Sequence, residues 1–229
     1  MFRKKMRKTV DYLTSGDMIN PIHLKGKLKF FFISLLFLLF LYPYLEGSGL
    51  ESTILNIAFS IVLLTGVYAI SYDRMHLVTG VFLAVPALVT NWLNYPSEHI
   101  MIAHVFAIMF YFYAIISILT YIMKAVHITS DVLFGAISVY IIIGITFGVL
   151  FSLISIAYPG SFTAGENSWS DLVYFSFSTL TTVGYGDIVP ITTLARSLSV
   201  IEMVTGQMFI TIILAKIVGI YIFQTMSEK

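Results

Sequence analysis

Six apolar stretches, each long enough to cross a lipid bilayer, constrain this chain more than anything else in it. A helix spanning the hydrocarbon core needs about 20 predominantly apolar residues. The stretches cover residues 28–45, 54–72, 75–94, 100–123, 132–156 and 193–223. Composition agrees: with 58% hydrophobic and 11% charged residues, and a mean hydropathy of +0.92, there is too little polar surface to clothe a soluble globule of 229 residues. The expected class is an all-α membrane protein, multi-pass in a cell membrane, with six transmembrane helices per subunit. Short turns at Gly47-Ser48-Gly49, Asp73-Arg74 and Pro96-Ser97 join the first four spans, which predicts an antiparallel peripheral bundle over residues 28–124.

Charge sets the orientation. Eight of the thirteen Lys and Arg residues, from Arg3 to Lys29, precede Phe30, and Arg74 and Lys124 fall on the same side of the spans. Glu46, Glu51, Glu98, Glu166, Asp171 and Asp187 fall on the other. Because loops rich in Lys and Arg stay in the cytoplasm, both termini are expected there. A cleaved signal peptide also pairs a basic start with an apolar run, but this basic region is too long and Gly47-Ser48-Gly49 is a weak cleavage site. Residues 1–27 then form a basic cytoplasmic segment. It is either an interfacial stretch drawn to anionic lipid headgroups, at on the order of 1 kcal/mol per Lys or Arg, or a topology anchor alone. The absence of cysteine removes disulfides, thiolate metal sites and a thiol nucleophile.

Between the fifth and sixth spans lies Thr181-Thr182-Val183-Gly184-Tyr185-Gly186-Asp187, preceded by the run Ser176 to Leu180 and followed by the turn residue Pro190. Two glycines flanking one tyrosine let the backbone alternate between ordinary and left-handed conformations, so successive carbonyls can point the same way. A ring of such ladders can replace the water around a dehydrating cation, and TVGYG is the loop by which potassium filters are known. The segment resembles the filter of the potassium-channel family, and the resemblance runs over residues 130–229 as outer helix, turret, pore helix, filter and inner helix. It implies a pore domain there with a re-entrant pore helix and a filter loop, Thr182 to Gly186. It also implies that the carbonyls of Thr182, Val183, Gly184 and Tyr185, with the Thr182 hydroxyl, bind K+, and that Asp187 guards the outer mouth. Sodium or calcium channels would place side-chain carboxylates in the ring instead. One filter segment per chain and four ladders per ion make the expected assembly a homotetramer.

The pore helix is expected to start near Trp169, with Ser168 and Asp171 as a capping box and its negative end near Thr181 favouring a cation at mid-membrane. Successive residues of the last helix, set about 100° apart, place Gln207, Ile210, Thr211, Leu214 and Val218 on one face. The resemblance makes these the cavity and gate positions. Gly206 matches the glycine at which inner helices of the family bend, or else it permits close packing on the pore helix. Glu202 and Lys216 lie on the opposite side. Ionisable groups at this depth demand partners, so Glu202 is expected to brace the pore helix through Ser178 or Thr179. Lys216 is read as a residue snorkelling to the inner face.

Voltage sensing needs charge moved through the field, worth about 2.3 kcal/mol per charge per 100 mV. No Arg or Lys occurs between Glu98 and Lys124, so the fourth span offers only His104 and no steep voltage dependence is expected. A lone histidine on an apolar helix is more often a packing residue than a proton sensor, although its pKa range suits sensing. His99 and His104 lack the i, i+4 spacing of a helical zinc pair. Pro86 is expected to kink the third span. The short link between Lys124 and Ser130 favours each bundle packing on its own subunit's pore, and the residues after Phe223 are expected to leave no room for a cytoplasmic gating domain. The chain lacks H-E-x-x-H, G-x-S-x-G and a Walker loop, so an enzyme is not expected, nor an organic cofactor or a nucleic-acid partner. The functional expectation is a voltage-insensitive potassium channel. The alternative is a weakly conducting channel subunit or a potassium- or lipid-responsive membrane sensor.

Overall fold

The computed structural model describes residues 26–45, 51–92, 97–163 and 168–227. The basic residues up to Lys25, the Gly47-Ser48-Gly49 turn, Glu166 and the His99 side chain lie outside what it describes. Among the described residues seven helices follow one another: α1 (Lys27–Leu45), α2 (Glu51–Ile70), α3 (Arg74–Trp92), α4 (Ser97–Lys124), α5 (Ser130–Ala157), α6 (Trp169–Leu180) and α7 (Thr193–Ser227). Among the described residues, α2, α3, α4, α5 and α7 are long and apolar enough to cross a membrane. The first span, α1, has 19 residues, with side chains described only through Leu41. α4 and α7 each overrun the stretch seen in the sequence, starting at Ser97 and ending at Ser227. α3 stays helical through Pro86, and the Thr90 hydroxyl donates to the Pro86 carbonyl at 2.7 Å.

In lipid the surroundings are as apolar as leucine, so helices associate by close packing rather than by expelling water, and small residues mark where they do so. α1 packs on α2, α2 on α3 and α3 on α4, and both α1 and α4 pack on α5 of the same chain. Gly66 of α2 sits where a β-carbon would come within 2.9 Å of Phe110 and 3.1 Å of Phe31. At Gly135 of α5 it would meet Leu28 at 3.1 Å and Ile118 at 3.3 Å, so α1, α4 and α5 converge there. The buried core is therefore continuous from Phe31, Val62 and Phe110 in the bundle to Val139 and Ile142 in α5. At one end of the bundle, the Asp131 carboxylate accepts from the Gly26 amide at 3.0 Å, and Lys27 donates to the Ser71 carbonyl at 2.9 Å.

A second, smaller cluster joins the end of α5 to α6 and the start of α7. Phe151, Phe162 and Phe175 meet edge to face with centroids 5.0–5.6 Å apart, joined by Leu172, Ile188 and Ala195. The chain before α6 and the chain after the filter pair antiparallel at Phe162 and Pro190. Thr163 donates its amide to the Val189 carbonyl at 3.1 Å, and Ile191 donates to Ser161 at 2.8 Å.

Candidate functional site

α6 begins with the capping box expected from its sequence: the Ser168 hydroxyl accepts from the Asp171 amide, and the Asp171 carboxylate accepts from the Ser168 amide. It ends at Leu180, where the last carbonyls of a helix have no partner within it. The following segment supplies those partners. The amides of Thr181 and Thr182 donate to Phe177 and Thr179, and those of Val183 and Gly184 both donate to Ser178, all at 3.0–3.1 Å. The Tyr185 amide reaches the Ser178 hydroxyl at 3.4 Å. Five consecutive amides thus turn back onto α6.

The carbonyls do the opposite. Thr182, Gly184 and Gly186 have positive φ (61°, 58° and 81°), alternating with Val183 and Tyr185. Thr182 is the only non-glycine with positive φ among the described residues, so the left-handed positions number one more than the glycines announce. Among the described residues, the carbonyls of Thr182, Val183, Gly184 and Tyr185 accept no hydrogen bond from protein. All residues from Thr181 to Asp187 are exposed in a single subunit. What results is four consecutive backbone oxygens without donors among the described residues, just past the negative end of α6.

The outer end is held by aromatic contacts. Tyr174 of α6 stacks on Tyr185 with centroids 6.2 Å apart and planes within 8°. The Asp187 carboxylate, within electrostatic reach of the Tyr174 hydroxyl, accepts from the Ile188 amide at 3.0 Å.

Behind the filter the structure corrects the expected partner of Glu202. Neither Ser178 nor Thr179 meets it; Ser176 does, its hydroxyl oxygen 2.5 Å from Glu202 Oε1 and 2.6 Å from the Gly144 carbonyl of α5. Ser178 serves the filter backbone instead. The physical reason is register. A β-carbon at Gly206 would lie 2.6 Å from the Leu180 carbonyl oxygen, so α7 and α6 touch backbone to backbone there. One turn earlier on both helices pairs Glu202 with Ser176. Tyr140 of α5 donates to the same Leu180 carbonyl at 3.3 Å. α5 makes room for α6 at Gly144 and Gly148, where a β-carbon would come within 2.7 Å of Phe177 and of Val173.

α7 divides by face. Ala195, Ser199, Glu202, Gly206, Ile213 and Ile220 are buried, at intervals of three, four or seven residues that keep them on one stripe. Gln207, Ile210, Thr211, Leu214 and Val218 are exposed in the single subunit, and Lys216 is half-buried. His104 is also half-buried and, with Asn56, Asn91, Tyr111 and Trp169, lines a cavity of about 260 Å³ between the bundle and the start of α6. Phe59 crosses Trp169 edge to face at 5.1 Å beside it.

Ser176, Tyr140 and Tyr174 were not singled out by sequence reasoning. Gly144-Ile-Thr-Phe-Gly148 carries a usable signal, since glycines four apart on an apolar helix mark a close helix contact. No pattern points to Tyr140, whose role depends on where α6 ends.

Residues 135–223, from the second turn of α5 through most of α7, match the family described as Ion channel. Over 82 residues the chain is 36% identical to Two-pore potassium channel 4 of Arabidopsis thaliana, covering 35% of this chain and 28% of that protein. Over 83 residues it is 35% identical to Two pore potassium channel c of Oryza sativa subsp. japonica, covering 35% of this chain and 17% of that one. The match thus spans less than a third of the length of either relative. No solved structure matches the chain.

Proposed function

We propose, on the premise that the chain belongs to the potassium-channel family through residues 135–223, that it is a potassium-selective channel assembled as a homotetramer in the cell membrane. The single observation that carries the reading is the division of labour in the filter. Five amides from Thr181 to Tyr185 are spent on α6, while the carbonyls of Thr182, Val183, Gly184 and Tyr185 have no donor. Four such rows around one axis offer a potassium ion oxygens in place of its hydration shell. The Thr182 hydroxyl completes the innermost site and Gly186 continues the alternation outward. Asp187, within electrostatic reach of the Tyr174 hydroxyl, stands at the outer mouth.

The rest of the pore follows. Gln207 forms a polar ring under the filter where the ion is still hydrated, and Ile210, Thr211, Leu214 and Val218 line the path to the inner gate. The exposure of this whole face and of Val183 and Tyr185 in one subunit supports their being enclosed by neighbouring copies. Gly206 serves as a packing contact and as the point where α7 bends. We read residues 28–124 as a peripheral bundle and 130–229 as the pore domain, with six spans, cytoplasmic termini and a basic segment at 1–27 that meets anionic lipid. α4 offers no arginine or lysine before Lys124, which supports voltage insensitivity. The Ion channel family is not a family of enzymes.

Liposomes holding the purified chain test this. Rubidium uptake driven by a potassium gradient is expected, blocked by barium and absent when sodium replaces potassium. Equal passage of sodium, or an assembly of another symmetry, refutes it.

A further inference from the structure

Behind the filter sits a carboxyl group that the conduction path does not use. Glu202 is wholly buried within one subunit, so no neighbouring copy reaches it. α7 packs there on α5 and α6. Ser176 Oγ stands 2.5 Å from Glu202 Oε1 and 2.6 Å from the Gly144 carbonyl oxygen. A hydroxyl has one hydrogen to give. If Ser176 gave it to a carboxylate, its oxygen and the Gly144 carbonyl would face each other at 2.6 Å with nothing between them. If it gave it to Gly144, the same would hold toward an ionised Glu202. The hydrogen count closes only when the carboxyl itself carries a proton. Glu202 Oε2 gives an independent sign: it is buried and has no hydrogen-bond partner among the described residues. A neutral acid tolerates one orphan carbonyl oxygen at modest cost, whereas an unpaired buried charge costs far more.

We propose that Glu202 is a proton-binding site, holding a proton on Oε1 and donating it to Ser176, whose own hydrogen goes to Gly144, so that α7, α6 and α5 are tied in one chain behind the filter. Loss of that proton to a base in solution leaves a carboxylate competing with Gly144 for the single serine hydrogen, and the tie across the three helices breaks. The groups facing Glu202 do not hold the charge. Tyr140 of α5 is the titratable group within its electrostatic reach, and its hydroxyl is committed to Leu180. α6 presents Ser176, with the buried Thr179 one turn further on. On α7 itself the nearest cations, Arg196 and Lys216, lie about 9 Å and about 21 Å away along the axis at 1.5 Å per residue. The support is therefore present while the carboxyl is protonated and is lost as pH rises.

Only the functional readout of this inference rests on the channel reading, and the test separates the two. Infrared difference spectra of full-length wild type against E202Q in liposomes at neutral pH are expected to show the carbonyl stretch of a protonated carboxylic acid. That band should shift in heavy water and, in S176A, move to the position of an acid that has lost its acceptor. Its absence from the wild type overturns the proposal whether or not the protein passes ions. In the same liposomes, raising the pH from neutral into the alkaline range is expected to reduce rubidium flux through the wild type. The flux of E202Q, whose amide donates to Ser176 without titrating, should hold a flat profile. An equal fall in E202Q overturns the switching role. If the band is present and neither protein passes rubidium, the conduction reading fails and the proton site stands.

Discussion

Gly206→Ala measures how tightly α7 is seated on the end of α6. The added methyl would lie 2.6 Å from the Leu180 oxygen and 2.8 Å from its Cδ1, against an ordinary contact of 3.4 Å or more, so the end of α6 must retreat by about 0.8 Å. That oxygen is backbone, and Tyr140 holds it from the α5 side. Overpacking of this kind costs typically about 1–3 kcal/mol, while alanine gains about 1 kcal/mol over glycine inside a helix. The net is a loss of about 1 kcal/mol in each subunit. Gly219→Ala, on the same helix, supplies the control, because nothing lies within 4 Å of its β-carbon position. There only the gain of about 1 kcal/mol remains. The two variants should therefore differ by about 2 kcal/mol, or roughly 4–8 °C in midpoint for a chain of this length. Thermal unfolding in detergent, followed by circular dichroism, reads the gap. If Gly206→Ala melts with or above Gly219→Ala, the close seating of α7 on Leu180 is wrong and a pure hinge role for Gly206 takes its place.

Three further outcomes follow from the contacts. Gly148→Val puts a branched side chain where even a β-carbon lies 3.0 Å from the Val173 Cα, so α6 cannot dock; a loss of at least about 1–3 kcal/mol should appear as a missing tetramer on size exclusion. Gly186→Ala forces an L-residue into φ 81°, at about 1–2 kcal/mol per copy, and should abolish rubidium flux while expression persists. Phe59→Ala removes the edge-to-face contact with Trp169, worth about 0.5–1.5 kcal/mol beyond its area, and should shift tryptophan emission, since Trp92 is the only other indole.

Much of this was legible before any coordinates. Apolar length marked α2, α3, α4, α5 and α7 as helices able to cross a membrane because bilayer thickness imposes it, and Ser168 with Asp171 marked the start of α6 because orphan amides need a cap. Positive φ at Thr182 was not legible: threonine has no intrinsic preference for that region, and the conformation is imposed by the amides on either side bonding back to α6. Placing Glu202 on the buried side of α7 needed only the helical repeat. Naming Ser176 as its partner needed the register of two helices, which Gly206 and Leu180 set across 26 residues of chain.

The antiparallel clasp at Phe162 and Pro190 joins the chain before α6 to the chain after the 181–187 segment at a common neck. That neck is fastened to the end of α5, to the Phe151–Phe175 aromatic cluster and, through Ala195, to the first turn of α7. If the channel reading holds, a movement of the lower half of α7 would reach the 181–187 segment through the contact of α7 with Leu180 and Ser176.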